Sequence, residues 1–501
     1  MRRFFLLTLS LAALVPAAAQ TTGKAAAFVE EIASVEPVNT CFVGVKATKA
    51  SGEVIVDFNG CKKMIPASNT KLISTGLALN ILGGDYRFET VLACSGEIAD
   101  STLNGDLYII GGGDPTTGSD LQPAEGDDSV LEKWRRIILD AGISHITGRI
   151  IGDPRGLDGY PIHMDWCYED IGTDYGASPT GLNFFENQKL LKVFPGDAEG
   201  DPAFVMPDYP PTPWMNFHNF VKTSAEGTGS DLRYLDTDMA PSGILDGYIQ
   251  TGHKGRTLYA SNLFGAYTCA FCLFRHLNEN GVSVDGGFAD IDMAGRIRED
   301  LYGQTLGEPA ETALKRIGST FSPELREIAK RTNHESDNFM AETLLRLLGR
   351  TLTGSACYDS ARAALPVALS TVGILPPYNA RQMDGSGLAR SNFIAPEFFV
   401  DYLLHMLRSR SFDDFLTSLP QPGSGTLTTR LQKAPQELRE RVHMKSGSMG
   451  GVCSYSGYIL PPDGNPDNTV AFSIIFNNYT MPISDVRTII DAIIMQIATD
   501  I

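Results

Sequence analysis

The chain has 501 residues, 43% of them hydrophobic and 20% charged, with 50 glycines, the make-up of a folded protein of several domains and not of a disordered, collagenous or coiled-coil one. Its 41 Lys and Arg stand against 59 Asp and Glu, a formal charge of −18. No broad cationic surface is available to neutralise phosphates, so nucleic-acid binding is excluded as a principal function.

The chain opens with MRRFFLLTLSLAALVPAAAQ. Arg2 and Arg3, the apolar run Phe4 to Val15 and the small residues Ala17 to Ala19 read as a cleaved signal peptide over residues 1–19. The run is shorter than the roughly 20 residues that span a bilayer, and Gln20, not a cysteine, follows the cut. The mature chain is therefore expected to be exported to the periplasm with no integral membrane segment. Next come two alternating runs, Phe42 to Ala47 and Glu53 to Phe58, which predict a hairpin about Ser51-Gly52. Eight cysteines allow roughly a hundred disulfide connectivities. Cys41 and Cys61, placed symmetrically about that turn, are the candidate cross-strand pair.

Ser68 to Leu82 has helical apolar spacing and follows Pro66-Ala67, which places Ser68 at a helix N-terminus. Strands are expected at Phe88 to Ala93, Asp106 to Ile110 and Ile146 to Ile151, and a helix at Val130 to Asp140. From Gly196 to Gly255 the chain is rich in Pro, Gly, Asp and Ser, and its strands are hard to place. Helical patterning resumes at Leu263 to Asn278, fades near Gly303 to Pro309, and returns at Leu325 to Lys330 and Phe339 to Leu348. Cys269-x-x-Cys272 falls inside the first of these helices, on an apolar background and without further metal ligands, so it reads as core packing. The chain closes with strands at Val442 to Lys445, Tyr455 to Leu460 and Thr469 to Phe476, and an amphipathic helix from Ser484 to Ile497. This order suggests one domain interrupted by an insertion.

Three short strings carry chemistry. Ser68-Asn69-Thr70-Lys71 is the sole S-x-x-K in the chain; on a helix, residues three apart share a face, so the Lys71 amine can reach the Ser68 hydroxyl and take its proton once burial has depressed its pKa. Ser336-Asp337-Asn338 sits in a polar break between two helical runs, where it can line a cleft or simply cap a helix. Lys445-Ser446-Gly447-Ser448 ends a strand, where Gly447 lets a ligand approach the backbone and Lys445 and Ser446 offer a charge and a hydroxyl to a carboxylate. Gly111 to Gly113 lacks the Lys-Ser/Thr end of a phosphate-binding loop and reads as a tight turn. Trp166 reads more readily as a core aromatic than as a sugar-stacking platform.

In the order S-x-x-K, S-D-N, K-[S/T]-G, these strings form the set shared by class A β-lactamases and penicillin-binding proteins. Over nearly all of its mature length the chain resembles the penicillin-binding D-alanyl-D-alanine carboxypeptidase/endopeptidase family, peptidase family S13. The long separation of Ser68 from Ser336 matches the two extra domains that this family carries there, and Gly111 to Pro115, the string WCYED ending at Asp170, and Asp384 to Leu388 followed by Arg390 match its other strings. The family usually has Thr where this chain has Ser446, and a second Trp where it has Tyr168.

The resemblance implies an α/β (α+β) architecture: a DD-peptidase/β-lactamase-like transpeptidase domain over 20–90 and 310–501, its antiparallel sheet flanked by helices. An inserted α/β subdomain over 91–195 and 256–309 and a loop-rich β subdomain over 196–255 complete it. It implies that Ser68 is the acylated nucleophile and Lys71 its general base, that Ser336 and Lys445 relay the proton to the leaving D-alanine, and that Asn338 binds the substrate amide. The N–H groups of Ser68 and Ser448 would form the oxyanion hole, Ser446 would help hold the terminal carboxylate, and Asp170, Arg390 and Met449 would line a pocket for the stem-peptide side chain. The implied partners are peptidoglycan stem peptides and β-lactams, with no metal or organic cofactor. Two alternatives stand beside this reading. One is a catalytically silent wall-binding scaffold; the other, a serine β-lactamase, is disfavoured by the insertion and by the lack of an added carboxylate base. A conventional α/β-hydrolase is disfavoured because no serine lies in G-x-S-x-G.

Overall fold

The computed structural model describes residues 23–120, 122–236, 241–291 and 314–501. The expected signal peptide and the fading helical pattern near Gly303 to Pro309 lie outside them.

The element order is built around one antiparallel sheet made from the two ends of the chain. Its strands are β1 (Phe42–Lys49), β2 (Val54–Phe58), β3 (Val442–Met449), β4 (Val452–Ile459) and β5 (Val470–Asn477), in the order β2-β1-β5-β4-β3. The inner strands β4 and β5 are buried along their whole length, and side-chain alternation divides them between two cores. On one face Phe472, Ile474 and Phe476 pack with Cys453 and Tyr455 beneath the helices Lys24–Ser34 and Ile483–Ala498. On the other, Ala471, Ile475 and Tyr458 meet α1 (Lys71–Leu82), α2 (Leu325–His334), α3 (Asn338–Thr353), α4 (Tyr358–Thr371) and α5 (Pro396–Met406). The expected antiparallel sheet flanked by helices is the one observed.

A second five-stranded sheet runs Phe288–Asp290, Ile150–Asp153, Leu107–Gly111, Glu89–Cys94, Lys315–Phe321. Its last pair is antiparallel, joining Thr90 to Thr320. Helix Gly265–Glu279 packs on this sheet and buries Cys269 and Cys272 completely or nearly so, as the apolar background of that C-x-x-C suggested. Residues 188–261 add a three-stranded and a four-stranded sheet around Leu191, Val193, Val221, Tyr234, Leu245 and Ile249. The tight turn expected at Gly111 to Gly113 lies further on, at residues 115–118: Gly111 ends the strand Leu107–Gly111, and Gly113, at φ +99, bonds its N–H to the distant Gly181 carbonyl at 2.7 Å.

The candidate Cys41–Cys61 disulfide does not form, and all eight thiols are free. β2 ends at Phe58, and Asn59 at φ +54 turns the chain off the ladder before Cys61 is reached.

Candidate active site

Ser68 lies on a short 3-10 turn, Ala67–Thr70, that leads into α1. The turn is pinned from several sides. Thr70 Oγ1 donates to the Ala67 carbonyl at 2.9 Å, and Ser454 Oγ donates to the Pro66 carbonyl at 2.6 Å. The buried Asn69 amide, in the orientation that satisfies both its ends, donates to the Lys445 carbonyl at 3.0 Å and accepts from Ser456 on β4. The alternation of β3 and β4 explains this meeting. Lys445 pairs with Ser456 and Gly447 with Ser454, so all four face the helix side of the sheet where Ser68 sits. Gly447 is required by space: a Cβ there would stand 2.5 Å from Ser454 Oγ, 2.8 Å from the Pro66 carbonyl and 2.9 Å from the Ser68 nitrogen.

Lys71 is completely buried at the start of α1. Its Nζ donates to Ser68 Oγ at 3.0 Å, to Asn338 Oδ1 at 2.6 Å and to the Ser386 carbonyl at 2.9 Å. Burial lowers its pKa from 10.5 to about 8, against the opposing charges of Glu342, Asp384 and Asp337. Once neutral, the same nitrogen offers a lone pair to the Ser68 hydroxyl and can accept its proton. Lys445 is also fully buried, and donates to Ser336 Oγ at 2.9 Å and to the Ser446 carbonyl at 2.7 Å. Burial, and then the Lys71 charge, drive its pKa well below the usual lysine value. A charged Lys71 thus favours the neutral form of Lys445.

The S-D-N string performs both jobs that its sequence allows. Ser336 adopts φ +61 and presents its hydroxyl to Lys445. Asp337 caps α3 by accepting from the Met340 N–H at 3.0 Å, and pairs with Arg331 at 3.0 Å. Asn338, the first residue of α3, divides its amide between Lys71 and the Tyr175 carbonyl, 2.9 Å from Nδ2. Ser446 Oγ donates to Thr426 Oγ1 at 2.9 Å, while Ser448 is exposed and Met449 half-buried at the end of β3.

The structure also brings the remaining expected positions together. Tyr175, two of whose atoms matter here, donates from its hydroxyl to Asp170 Oδ1 at 3.2 Å. Burial raises the Asp170 pKa, and the Arg390 charge counteracts it, which places the two residues within electrostatic reach. A Cβ on Gly450, next to Met449, would lie 3.5 Å from Arg390 Nη2. Trp166 is buried, with its Nε1–H bonded to Asp384 Oδ2 at 2.9 Å, so it is a core aromatic.

Several contributors were not legible as site residues. Glu342 sits one turn after Asn338, inside the run Phe339 to Gly349 that is buried on every side, and a carboxylate in so apolar a run is the signal that could have exposed it. Tyr175 and Thr426 left none, since one acts through a backbone carbonyl and the other through a hydroxyl in a loop.

Known proteins are similar to this chain over most of its length. The chain is 27% identical over 447 residues to a D-alanyl-D-alanine carboxypeptidase of Actinomadura sp. (strain R39), covering 86% of this chain and 77% of that protein. It is 28% identical over 483 residues to a penicillin-sensitive carboxypeptidase A of Dictyostelium discoideum, covering 89% and 85%. The fold matches the crystal structure of penicillin binding protein 4 from Haemophilus influenzae with a TM-score of 0.75 at 21% identity, over 92% of this chain and 95% of that one. That protein has also been solved complexed with a β-lactam. Because the matching family model runs from residue 25 to residue 499, through all three converging motifs and the long segment between the first two, the chain belongs to the D-Ala-D-Ala carboxypeptidase 3 (S13) family.

Proposed function

We propose that this protein is an exported, periplasmic serine D-alanyl-D-alanine carboxypeptidase/endopeptidase that cleaves peptidoglycan stem peptides and cross-links through an acyl-enzyme on Ser68, and that β-lactams acylate the same serine. The observation that carries this reading is the convergence of two buried lysines on two serines from distant parts of the chain. Lys71 Nζ lies 3.0 Å from Ser68 Oγ, and Lys445 Nζ lies 2.9 Å from Ser336 Oγ.

In this mechanism the neutral Lys71 amine takes the Ser68 proton as Oγ attacks the carbonyl of the terminal peptide bond. The N–H groups of Ser68 and Ser448 hold the oxyanion. The proton passes by way of Ser336, beside Lys445, to the amine of the departing D-alanine as the C–N bond breaks. Water then attacks the ester, Ser68 recovers its proton, and the shortened peptide leaves. Asn338 holds the substrate amide, and Ser446 with Lys445 receives the terminal carboxylate. Gly447 keeps the strand flat enough for the substrate to lie against it. Asp170, Arg390 and Met449 form the side-chain pocket, whose carboxylate and guanidinium suit a side chain ending in an ammonium and a carboxylate. No helix among the described residues is long and apolar enough to cross a membrane.

The same reading treats the second sheet and the β subdomain as insertions into one penicillin-binding domain. The antiparallel pairing of Glu89–Cys94 with Lys315–Phe321 supports it, because the two ends of the insertion leave and return side by side. It also moves the return boundary from 310 to about 322.

The test is release of D-alanine from a pentapeptide stem by wild type and by Ser68→Ala. Wild type should turn over, and the variant should lose at least about a thousandfold in kcat while keeping its melting temperature. Turnover by a folded Ser68→Ala variant, or none by wild type, would refute the proposal.

A further inference from the structure

Lys71 is held by three acceptors, and only two of them are side chains of the expected motifs. The third is the backbone carbonyl of Ser386, in the segment Asp384-Gly385-Ser386-Gly387. The residue that bears it is gripped by a buried carboxylate on α3, while the peptide plane of the carbonyl itself is held by Asp384 through the Gly387 N–H. Glu342 Oε2 accepts from the Gly385 N–H at 2.9 Å, and Oε1 accepts from the Ser386 N–H at 2.7 Å. Glu342 is completely buried, and a carboxylate gripping two consecutive N–H groups sets the orientation of the peptide planes between them. The segment is braced on its other side by Asp384, which accepts from the Gly387 N–H, the Ala389 N–H, Asn392 Nδ2 and Trp166 Nε1. Ser74 Oγ on α1 donates to the Gly385 carbonyl at 2.8 Å. Gly387, at φ +87, presses against the turn that bears Ser68: a Cβ there would overlap the Ala67 carbonyl.

We propose that Glu342 is a positioning residue for acylation: by clamping the Gly385 and Ser386 N–H groups it fixes the two peptide planes that lead into Ser386 and so, together with Asp384, places the Ser386 carbonyl that holds Lys71. This rests on the assignment of Lys71 as the base that acts on Ser68. Glu342 touches neither Ser68 nor substrate and acts through the 384–387 segment. The groups facing it are few. Lys71 approaches from α1, Asp384 and the Ser386 hydroxyl from the loop, Tyr358 from α4, and Arg346 lies one turn along α3. Burial, and then the Asp384 charge, push the Glu342 carboxyl up to about 7; above that pH its charge raises the Lys71 pKa against burial, so neutralising it should move Lys71 in the opposite direction. A glutamine in the same place keeps the volume, but has one acceptor for two N–H donors and carries no charge.

The experiment is single-turnover acylation by benzylpenicillin across pH, for wild type, Glu342→Gln and Glu342→Asp, with each rate constant read on the fraction of protein that becomes acylated. Glu342→Gln should lower the plateau rate at least about tenfold and shift the acid limb to lower pH by about half a unit or more. Glu342→Asp keeps the charge but withdraws it by one methylene, so it should lower the plateau and leave the limb in place. It supplies the plateau test should the glutamine variant not fold. An unchanged plateau in either variant, or an unmoved limb in Glu342→Gln, overturns the proposal; a purely structural role would reduce the folded fraction and move neither quantity. A wild type that benzylpenicillin does not acylate would instead refute the assignment of Ser68 and Lys71, and this proposal with it.

Discussion

Gly447 shows how much of the site depends on a single missing carbon. Its Cβ position is 2.9 Å from the Ser68 nitrogen and 2.8 Å from the Pro66 carbonyl, so Gly447→Ala should push β3 away from the serine turn. We expect a stability loss of about 1–3 kcal/mol and a fall of at least about tenfold in benzylpenicillin acylation rate; an unaffected rate would show that the strand can yield. Lys71 gives the second residue-scale prediction. The neutral amine is the base and its pKa is lowered to about 8, so the acylation rate should rise as pH climbs through 7 and 8 and level off above. A rate that falls over that interval would exclude Lys71 as the base. These residues were legible because S-x-x-K, S-D-N and K-S-G each hold their chemistry within four positions. Glu342 was not, because the N–H groups that give it meaning lie at 385 and 386, brought near only by the packing of α3 against the loop.

Among elements, α2 and the turn that opens α3 form the hinge of the assembly. Arg331 on α2 pairs with Glu186 at 2.5 Å and with Asp337 at 3.0 Å, and all three side chains are nearly buried. It therefore ties the cap of α3, next to Ser336 and Asn338, to the segment Phe185–Asn187. Arg331→Met would strand two carboxylates, and should cost about 3–5 kcal/mol at pH 8, read from thermal or denaturant unfolding. Burial, and then the Asp337 charge, push the Glu186 pKa up to about 7. Below that pH Glu186 takes up a proton and no longer needs the guanidinium, so the loss should shrink at pH 5. An equal loss at both pH values would contradict this account. Elements marked by a sustained apolar run between polar breaks, such as α1 and the buried strands β4 and β5, were readable from the sequence. The strands within 196–255 were not: their sheets are half-exposed, with Phe204, Ile244 and Tyr248 facing solvent, and the inside-outside contrast that marks a strand is weak there.

At the scale of the molecule, the long segment between the first two motifs takes part in the site. The Tyr175 carbonyl orients the Asn338 amide, and the Tyr175 hydroxyl holds Asp170 near Arg390. Selectivity for the stem-peptide side chain should therefore be shared between the insertion and the penicillin-binding domain. Asp170→Asn and Arg390→Met should each raise KM at least about tenfold for a stem bearing an ammonium and a carboxylate, with little change for one ending in an uncharged side chain. Equal effects on both substrates would remove the two residues from the pocket. The family resemblance made this division readable in outline, but the approach of Asp170 to Arg390 depends on tertiary packing that no local string encodes.

The most direct test of the whole account is intact-mass spectrometry of the folded protein with and without benzylpenicillin, followed by peptide mapping. The account requires a single covalent adduct, located on Ser68 and absent from Ser68→Ala. An adduct on another residue, or a folded protein that leaves the drug both unbound and unhydrolysed, would contradict it.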